Sequence, residues 1–166
     1  MLVTTEANAE LASAPDAATA LQLGAMASLC KASADPLRLQ VLRVLRNDSF
    51  GVSELCQIFD IRQPALSHHL KVLAAAELVA TRREGNSIFY RRSGLGQRPE
   101  LEALQSRLFE TVDLLELPPA IGDALQALYQ QREEISRSFF RDNAHKFRQQ
   151  QDLIANFDQY QDATFF

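Results

Sequence analysis

Residues 63–73 read QPALSHHLKVL, and this stretch decides the fold. Leu66, Leu70 and Leu73 recur at spacings of four and three residues, so a helix places them on one side, which is then buried against a partner. Pro64 suits the first helical turn, where its missing N–H group breaks no hydrogen bond. The sequence therefore predicts a helix with one dry face.

The opposite face of this predicted helix carries short or flexible hydrogen-bonding groups rather than the common surface mixture of Glu and Lys. These candidate DNA-contacting residues are Gln63, Ser67, His68, His69 and Lys71. One dry face and one face able to bond base edges are typical of the reading helix of a helix-turn-helix. Adjacent histidines point about 100° apart on a helix and do not chelate one ion together. Helix packing stays open as the alternative for both, most of all for His69.

A short basic hairpin is predicted within ten residues of this helix. Residues 78–82 and 87–91 are rich in Val, Ile, Thr, Phe and Tyr, and Gly85-Asn86 between them can take the positive φ angles of a tight turn. Four arginines flank the turn: Arg82, Arg83, Arg91 and Arg92. A hairpin after a reading helix predicts a wing on phosphates or in the minor groove, contacting DNA through Arg82, Arg83, Asn86 and Arg91. A basic, solvated edge hairpin is the alternative.

The charge distribution agrees with DNA binding, although the net charge of −4 by itself argues against it. Residues 62–98 carry 7 basic and 2 acidic side chains, a net of +5. Residues 1–61 have a net charge of −3 and residues 99–166 a net charge of −6. A local positive face on an acidic body predicts salt-sensitive DNA affinity with little indiscriminate binding.

Composition limits the class of protein. A chain of 166 residues holds one moderate domain and an appendage. Two cysteines suit a reducing compartment, and the N-terminus has no Lys or Arg before Lys31, unlike a signal peptide. No apolar run reaches the roughly 18 residues of a membrane span. We expect a cytoplasmic protein without a membrane partner.

The predicted fold class is mainly α with a small β-hairpin: a winged helix-turn-helix domain with a C-terminal helical extension. We expect a mobile arm over residues 1–20, the DNA-binding domain over 21–98, a dimerisation helix over 99–117 and the extension over 118–166. Asp35 is predicted to cap a helix over 37–46, and Ser53 to cap one over 54–59. The extension is expected to break or kink around residues 142–143. The apolar stripe of the dimerisation helix is Leu101, Leu104, Leu108, Val112 and Leu115.

The sequence resembles the ArsR/SmtB family of bacterial winged-helix repressors over about residues 21–95. The matching segments are KASADPLRLQVLRVL (31–45) and VSELCQIFDIRQPALSHHLKVLAAAELVATRREGNSIFYR (52–91). The resemblance implies a homodimer that binds a palindromic operator in double-stranded DNA. It also implies release when an effector, here unknown, binds or oxidises the protein.

The metal-sensing members of the family have ligands that this chain lacks. Their arsenic-type site uses two or three cysteines around the short helix, whereas ELCQIFD keeps Cys56 alone, with Ile58 where a second cysteine is expected. Their zinc-type site needs ligands on the helix over 100–117, which has no His or Cys. We therefore predict no metal site and no cofactor. Cys56 is expected in the core, and a redox pair with Cys30 stays open.

Residues 136–157, SRSFFRDNAHKFRQQQDLIANF, are similar to the connector that precedes an S-adenosylmethionine-binding, methyltransferase-like domain in some longer family members. A natural short form and a piece of a longer regulator both stay open. The predicted function is a sequence-specific DNA-binding regulator and repressor, not an enzyme, because no nucleophile with a base or convergent carboxylate pair is recognisable. The alternative is a protein-interaction module whose basic hairpin contacts an acidic protein. The polar helix face beside four arginines favours the regulator.

Overall fold

The computed structural model describes residues 16–94 and 99–161, with side chains described as far as Ala144. The order of elements is five helices and a small sheet, followed by one long helix. The elements are α1 (Ala17–Ser33), α2 (Pro36–Val44), β1 (Phe50–Gly51), α3 (Val52–Phe59), α4 (Gln63–Ala75), β2 (Val79–Glu84), β3 (Ser87–Arg92), α5 (Pro99–Asp113) and α6 (Pro119–Gln161). This order confirms the predicted fold class, a mainly helical winged helix-turn-helix.

The chain divides into two compact units. One comprises Met1–Cys56 and Ile61–Glu116, and the other comprises Gln57–Asp60 and Leu117–Phe166. The predicted mobile arm over 1–20 is too long, because α1 begins at Ala17; residues 1–15 of that arm lie outside the described residues.

The corner between α1 and α2 is held by side chains that cap both helices. The Asp35 carboxylate accepts the Arg38 N–H at 2.9 Å and so satisfies one of the free donors at the start of α2, as predicted. The Arg38 guanidinium turns the other way and donates to the Ala32 and Lys31 carbonyls at 2.7 Å and 3.0 Å, at the end of α1. Capping of both ends fixes the angle between the two helices.

The first helix of the helix-turn-helix starts earlier than predicted. Ser53 is not its cap, because α3 begins at Val52 and Ser53 lies inside its first turn. The Glu54 carboxylate instead accepts the Gly51 N–H at 2.8 Å, as the acidic partner of a capping box does. The helix ends at Phe59, and Asp60 takes a φ of 51° that reverses the chain towards α4.

Helix α4 also ends at a residue in the left-handed region. Glu77 has a φ of 57°, and the Leu78 N–H donates to the Leu73 carbonyl at 3.0 Å. This six-to-one hydrogen bond is that of a Schellman motif, which ends a helix and redirects the chain. It leads directly into β2, so the wing is fixed relative to α4 over a few residues.

The three strands form an antiparallel sheet in the order β1-β3-β2. Glu84 pairs with Ser87, so the wing turn is Gly85-Asn86, shorter than the four-residue turn of the prediction. Gly85 takes a φ of 56°, whereas Asn86 keeps an ordinary negative φ. The strands are correspondingly longer than predicted.

The two C-terminal helices differ from the prediction at their ends. α5 stops at Asp113 rather than at Leu117. α6 passes through Asp142 and Asn143 without interruption, so the predicted break there is wrong. The Asn143 side-chain amide donates to the Phe139 carbonyl at 2.8 Å within the same helix, which keeps this polar residue compatible with helical backbone.

Candidate nucleic-acid interface

Helix α4 separates its side chains as the pattern predicts. Leu66, Leu70 and Leu73 are fully buried. Gln63, His68 and Lys71 are exposed on the helix, and Ser67 is half-buried. The buried leucine face packs α4 against the rest of the domain. The polar face is exposed and could enter the major groove of DNA.

His69 is placed differently from the other polar residues of α4. Its ring is half-buried, and its Nδ1 atom lies 3.7 Å from Asp35 Oδ1, at the start of α2. That separation is too long for a hydrogen bond. The Nδ1 atom is buried and makes no hydrogen bond. His69 therefore packs between α4 and α2, in line with the alternative left open for it, and a DNA contact through the rest of its ring stays a prediction.

The register of the wing sorts its arginines onto two faces. Arg82 lies opposite Phe89 and Ala80 opposite Arg91, so Arg82 and Arg91 share one face of the sheet. Arg83 lies opposite Ile88 on the other face. All three arginines are exposed. The Arg82 guanidinium is 2.6 Å from Glu84, and Arg83 Nε donates to the Gly85 carbonyl at 3.2 Å, which holds both side chains near the turn.

Arg92, the fourth arginine of the hairpin, belongs to the interior. Its guanidinium donates to both carboxylate oxygens of Asp113, and its Nε donates to the Leu42 carbonyl at 2.6 Å. The same group lies over the Phe109 ring, 4.8 Å from its centroid. Sequence reasoning grouped Arg92 with the wing because the chain position alone does not tell which face of β3 turns inward.

A groove of about 430 Å³ lies between helix α4 and the wing. Gln63 at the start of α4 and Asn86 in the wing turn both line it, together with Ser53 and Glu54 of α3. Two residues predicted separately as DNA contacts thus border one concave surface. Two of the three other predicted contacts of the wing, Arg82 and Arg91, line a second groove of about 660 Å³ beside the loop that joins α2 to β1, and Arg83 is not part of its lining.

Comparison with known proteins shows which family the chain belongs to. Residues 35–81 match the family profile described as bacterial regulatory protein, arsR family. The chain is 48% identical over 66 residues to the biofilm growth-associated repressor of Agrobacterium fabrum, covering 40% of this chain and 56% of that protein. It is 34% identical over 65 residues to the transcriptional repressor SdpR of Bacillus subtilis, covering 39% of this chain and 72% of SdpR. The chain belongs to the arsR family of bacterial regulatory proteins.

Membership of the arsR family agrees with the predicted winged helix-turn-helix fold. Among solved structures, the homodimeric winged helix-turn-helix DNA-binding domain of Mb0332 from Mycobacterium bovis, a possible ArsR-family regulator, has 30% sequence identity. That match covers 63% of this chain and 88% of the other, with a TM-score of 0.49. The chain spans little more than half the length of the first relative named above, the Agrobacterium repressor.

The apolar stripe of α5 divides between the interior and the surface. Leu101 and Val112 are already buried within this single chain, while their predicted part in dimerisation stays a prediction. Leu104 and Leu115 are exposed, and Leu108 is half-buried. Helix α1 adds further exposed apolar side chains, namely Leu21, Leu23 and Met26, of which Leu21 is 74% exposed. The uncovered apolar surface of this unit is thus shared between α5 and α1.

The two cysteines differ in environment. Cys30 on α1 is exposed and Cys56 on α3 is half-buried, and both are free thiols. Burial raises the pKa of the Cys56 thiol. Within the described part of the chain, no three His, Cys, Asp or Glu side chains come together as a metal site would require. Of the helices over residues 16–94 and 99–161, none has the length and apolar character needed to cross a bilayer.

Proposed function

We propose that this chain is a cytoplasmic, dimeric repressor that binds a palindromic operator through α4 and the wing. One observation carries the proposal. The apolar face of α4 is fully buried, while Gln63 of its polar face and Asn86 of the wing line one groove. A rigid helix with an adjoining hairpin fits the major groove and the flanking backbone of double-stranded DNA.

The chemistry of the exposed residues supports different roles for the helix and the wing in this interface. Gln63, Ser67 and His68 carry polar groups that can form hydrogen bonds to base edges. Lys71, Arg82, Arg83 and Arg91 carry positive charges that attract phosphates of any sequence. The helix then supplies sequence preference, and the wing supplies much of the affinity.

A second copy of the chain is the expected cover for the exposed apolar side chains of α1 and α5. A single half-site gives little affinity, and two reading helices one DNA turn, about 34 Å, apart match a palindrome. Leu21, Leu23, Met26 and Leu104 are large apolar side chains left exposed on these two helices, and burial against a partner would remove them from water. This supports a homodimer in which both helices contribute to the interface.

Fluorescence anisotropy with labelled duplexes tests DNA binding. Duplexes tiled across the sequence upstream of the gene are titrated with protein at several salt concentrations, against a shuffled duplex of the same composition. The proposal expects one tile bound at least tenfold more tightly than the shuffled control, with affinity that falls as salt rises. Equal binding of all duplexes, or none, contradicts it and favours the protein-interaction alternative.

Sedimentation tests the dimer. Leu104→Glu puts a charge on the exposed apolar face of α5 and should shift the protein towards monomer, because a buried carboxylate costs several kcal/mol. Ala103→Glu is the matched control, since it adds the same charge at an exposed neighbour about 100° around the helix. A dimer dissociation constant for the Leu104 variant no weaker than that for the Ala103 variant contradicts the assignment.

We further infer that residues 136–157 act as a connector, as in longer family members that carry a methyltransferase-like domain. The continuity of α6 across this segment supports the inference, because a continuous helix is a semi-rigid spacer. The gene tests it. A reading frame that continues in phase into an S-adenosylmethionine-binding domain supports a connector, and a stop codon directly after Phe166 contradicts it.

A further inference from the structure

Helix α6 has an apolar stripe that is covered at one end and bare at the other. Leu128 is only 4% exposed, whereas Ile135 and Phe139, further along the same side, are 61% and 58% exposed. Burial of the stripe therefore stops after Leu128. Two large apolar side chains in a row on one helix face call for a partner surface.

The residues around this bare patch are self-complementary. Arg132, Ile135, Phe139 and Asp142 follow one another at spacings of three, four and three residues, and about 100° per residue places them within an arc of about 80°. The order is cation, apolar, apolar, anion, and the spacing reads the same in both directions. Such spacing of three and four is that of a helix-pairing seam.

Two copies of this stripe match when the helices run antiparallel. With Arg137 at the centre, Ile135 of one helix meets Phe139 of the other, and each Arg132 meets an Asp142 of opposite charge. Arg137 itself lies on the far side of the helix, where it pairs with Glu133 of its own chain. The positions beside the two apolar residues are Ser136 and Ser138, which are small enough to let two helices approach closely. In a parallel pair, by contrast, Arg132 would face Arg132 and Asp142 would face Asp142.

We propose that α6 pairs antiparallel with α6 of a second copy of this chain, through Arg132, Ile135, Phe139 and Asp142. Burial of Ile135 against Phe139 at two symmetric positions provides the attraction, and the two Arg132–Asp142 pairs set the register and the orientation. This contact is separate from the proposed α1–α5 interface and does not require it.

Disulfide trapping in the full chain tests the register. In a background with Cys30→Ser and Cys56→Ala, two single variants are made, Ile135→Cys and Phe139→Cys, and mixed in equal amounts under mild oxidation. The proposal expects the mixture to give a linked product with one chain of each kind, identified by intact mass, in several-fold excess over either variant alone. The matched control is a mixture of Glu134→Cys and Phe140→Cys, which occupy the same antiparallel register on the opposite face and should link weakly.

A charge exchange tests the ends of the seam. Arg132→Asp should reduce linking several-fold in the same assay, and adding Asp142→Arg to that variant should restore it, because the exchanged pair again has opposite charges. Self-linking of Ile135→Cys in preference to the mixture indicates a parallel pair and overturns the proposal. Equal linking of the two faces, or none, also overturns it, in which case another molecule covers this face. Sedimentation of the unmodified protein distinguishes the two proposals. If the protein is a dimer but the cysteine variants do not link, the α6 pairing is wrong and the α1–α5 dimer is unaffected.

Discussion

Arg92 and Asp113 form a two-point ion pair that joins β3 to the end of α5. Nη2 lies 2.6 Å from Asp113 Oδ1, and Nη1 lies 3.1 Å from Oδ2. Bidentate geometry of this kind is the strongest arrangement of an arginine with a carboxylate. The same guanidinium donates to the Leu42 carbonyl of α2, so a single side chain holds β3, α2 and α5 together.

Arg92→Ala should therefore act on folding rather than on DNA binding. The Arg92 side chain is 10% exposed, and its loss leaves a partly buried carboxylate with weaker neutralisation, which costs about 3 kcal/mol. Arg91→Ala is the matched control: the side chain is exposed, so stability should change by less than about 0.5 kcal/mol. Urea unfolding measures both. An Arg92 variant as stable as the Arg91 variant contradicts this role.

Gln63→Ala and Ser67→Ala should reduce discrimination between operator and shuffled DNA, by about 1 kcal/mol or more for each hydrogen bond to a base edge that the substitution removes. Arg83→Ala should weaken binding to both duplexes about equally, and make the slope of log affinity against log salt shallower by about one. Paired salt titrations on the two duplexes separate these effects. The assignment of roles is reversed if Arg83→Ala alters sequence preference and the two helix variants leave it intact.

The two thiols should react at different rates. Cys30 is exposed, whereas burial raises the pKa of Cys56, so at a given pH a smaller fraction of Cys56 is the reactive thiolate. Alkylation of Cys56 should be slower than that of the exposed Cys30, and its rate should rise as the pH rises and more of the Cys56 thiolate forms. Cys30→Ser and Cys56→Ser variants isolate the two rates. Faster alkylation of Cys56 near neutral pH would show an activated thiol rather than a packed one.

Metal ions should leave operator affinity unchanged. Cys56 has no second cysteine beside it in ELCQIFD, and the helix over 100–117 carries no His or Cys. Zinc, cadmium and arsenite, each added at one equivalent to the protein–operator complex, should give no change in anisotropy. Release of DNA by one equivalent of any of them refutes the prediction.

The sequence predicts most of the reading helix, because its signal is local. The spacing of Leu66, Leu70 and Leu73 and the cap at Asp35 depend only on neighbours along the chain, and both are found. The predicted cap at Ser53 is wrong because the Glu54 carboxylate, one residue later, accepts the Gly51 N–H at the start of α3. Local alternatives of nearly equal energy are hard to rank from sequence.

Residues that depend on tertiary packing were not predictable in the same way. Arg92 and Arg91 are adjacent and identical in type, and only the pairing of β3 with β2 decides which one turns inward. His69 likewise turns towards Asp35, 34 positions earlier in the chain. Leu101 and Val112 share a stripe with the exposed Leu104, yet the fold of the chain covers them. Periodicity finds an apolar face but does not tell what covers it.

Selection of bound duplexes from a random-sequence pool tests the central claim, that α4 and the wing form a sequence-reading DNA interface. We predict enrichment of a palindrome whose half-sites are centred about one helical turn apart. We also expect Gln63→Ala to relax the preference at the same position in both half-sites. A pool that shows no enrichment after repeated rounds, or an enriched site that Gln63→Ala, Ser67→Ala and Arg83→Ala all leave unchanged, would contradict the claim.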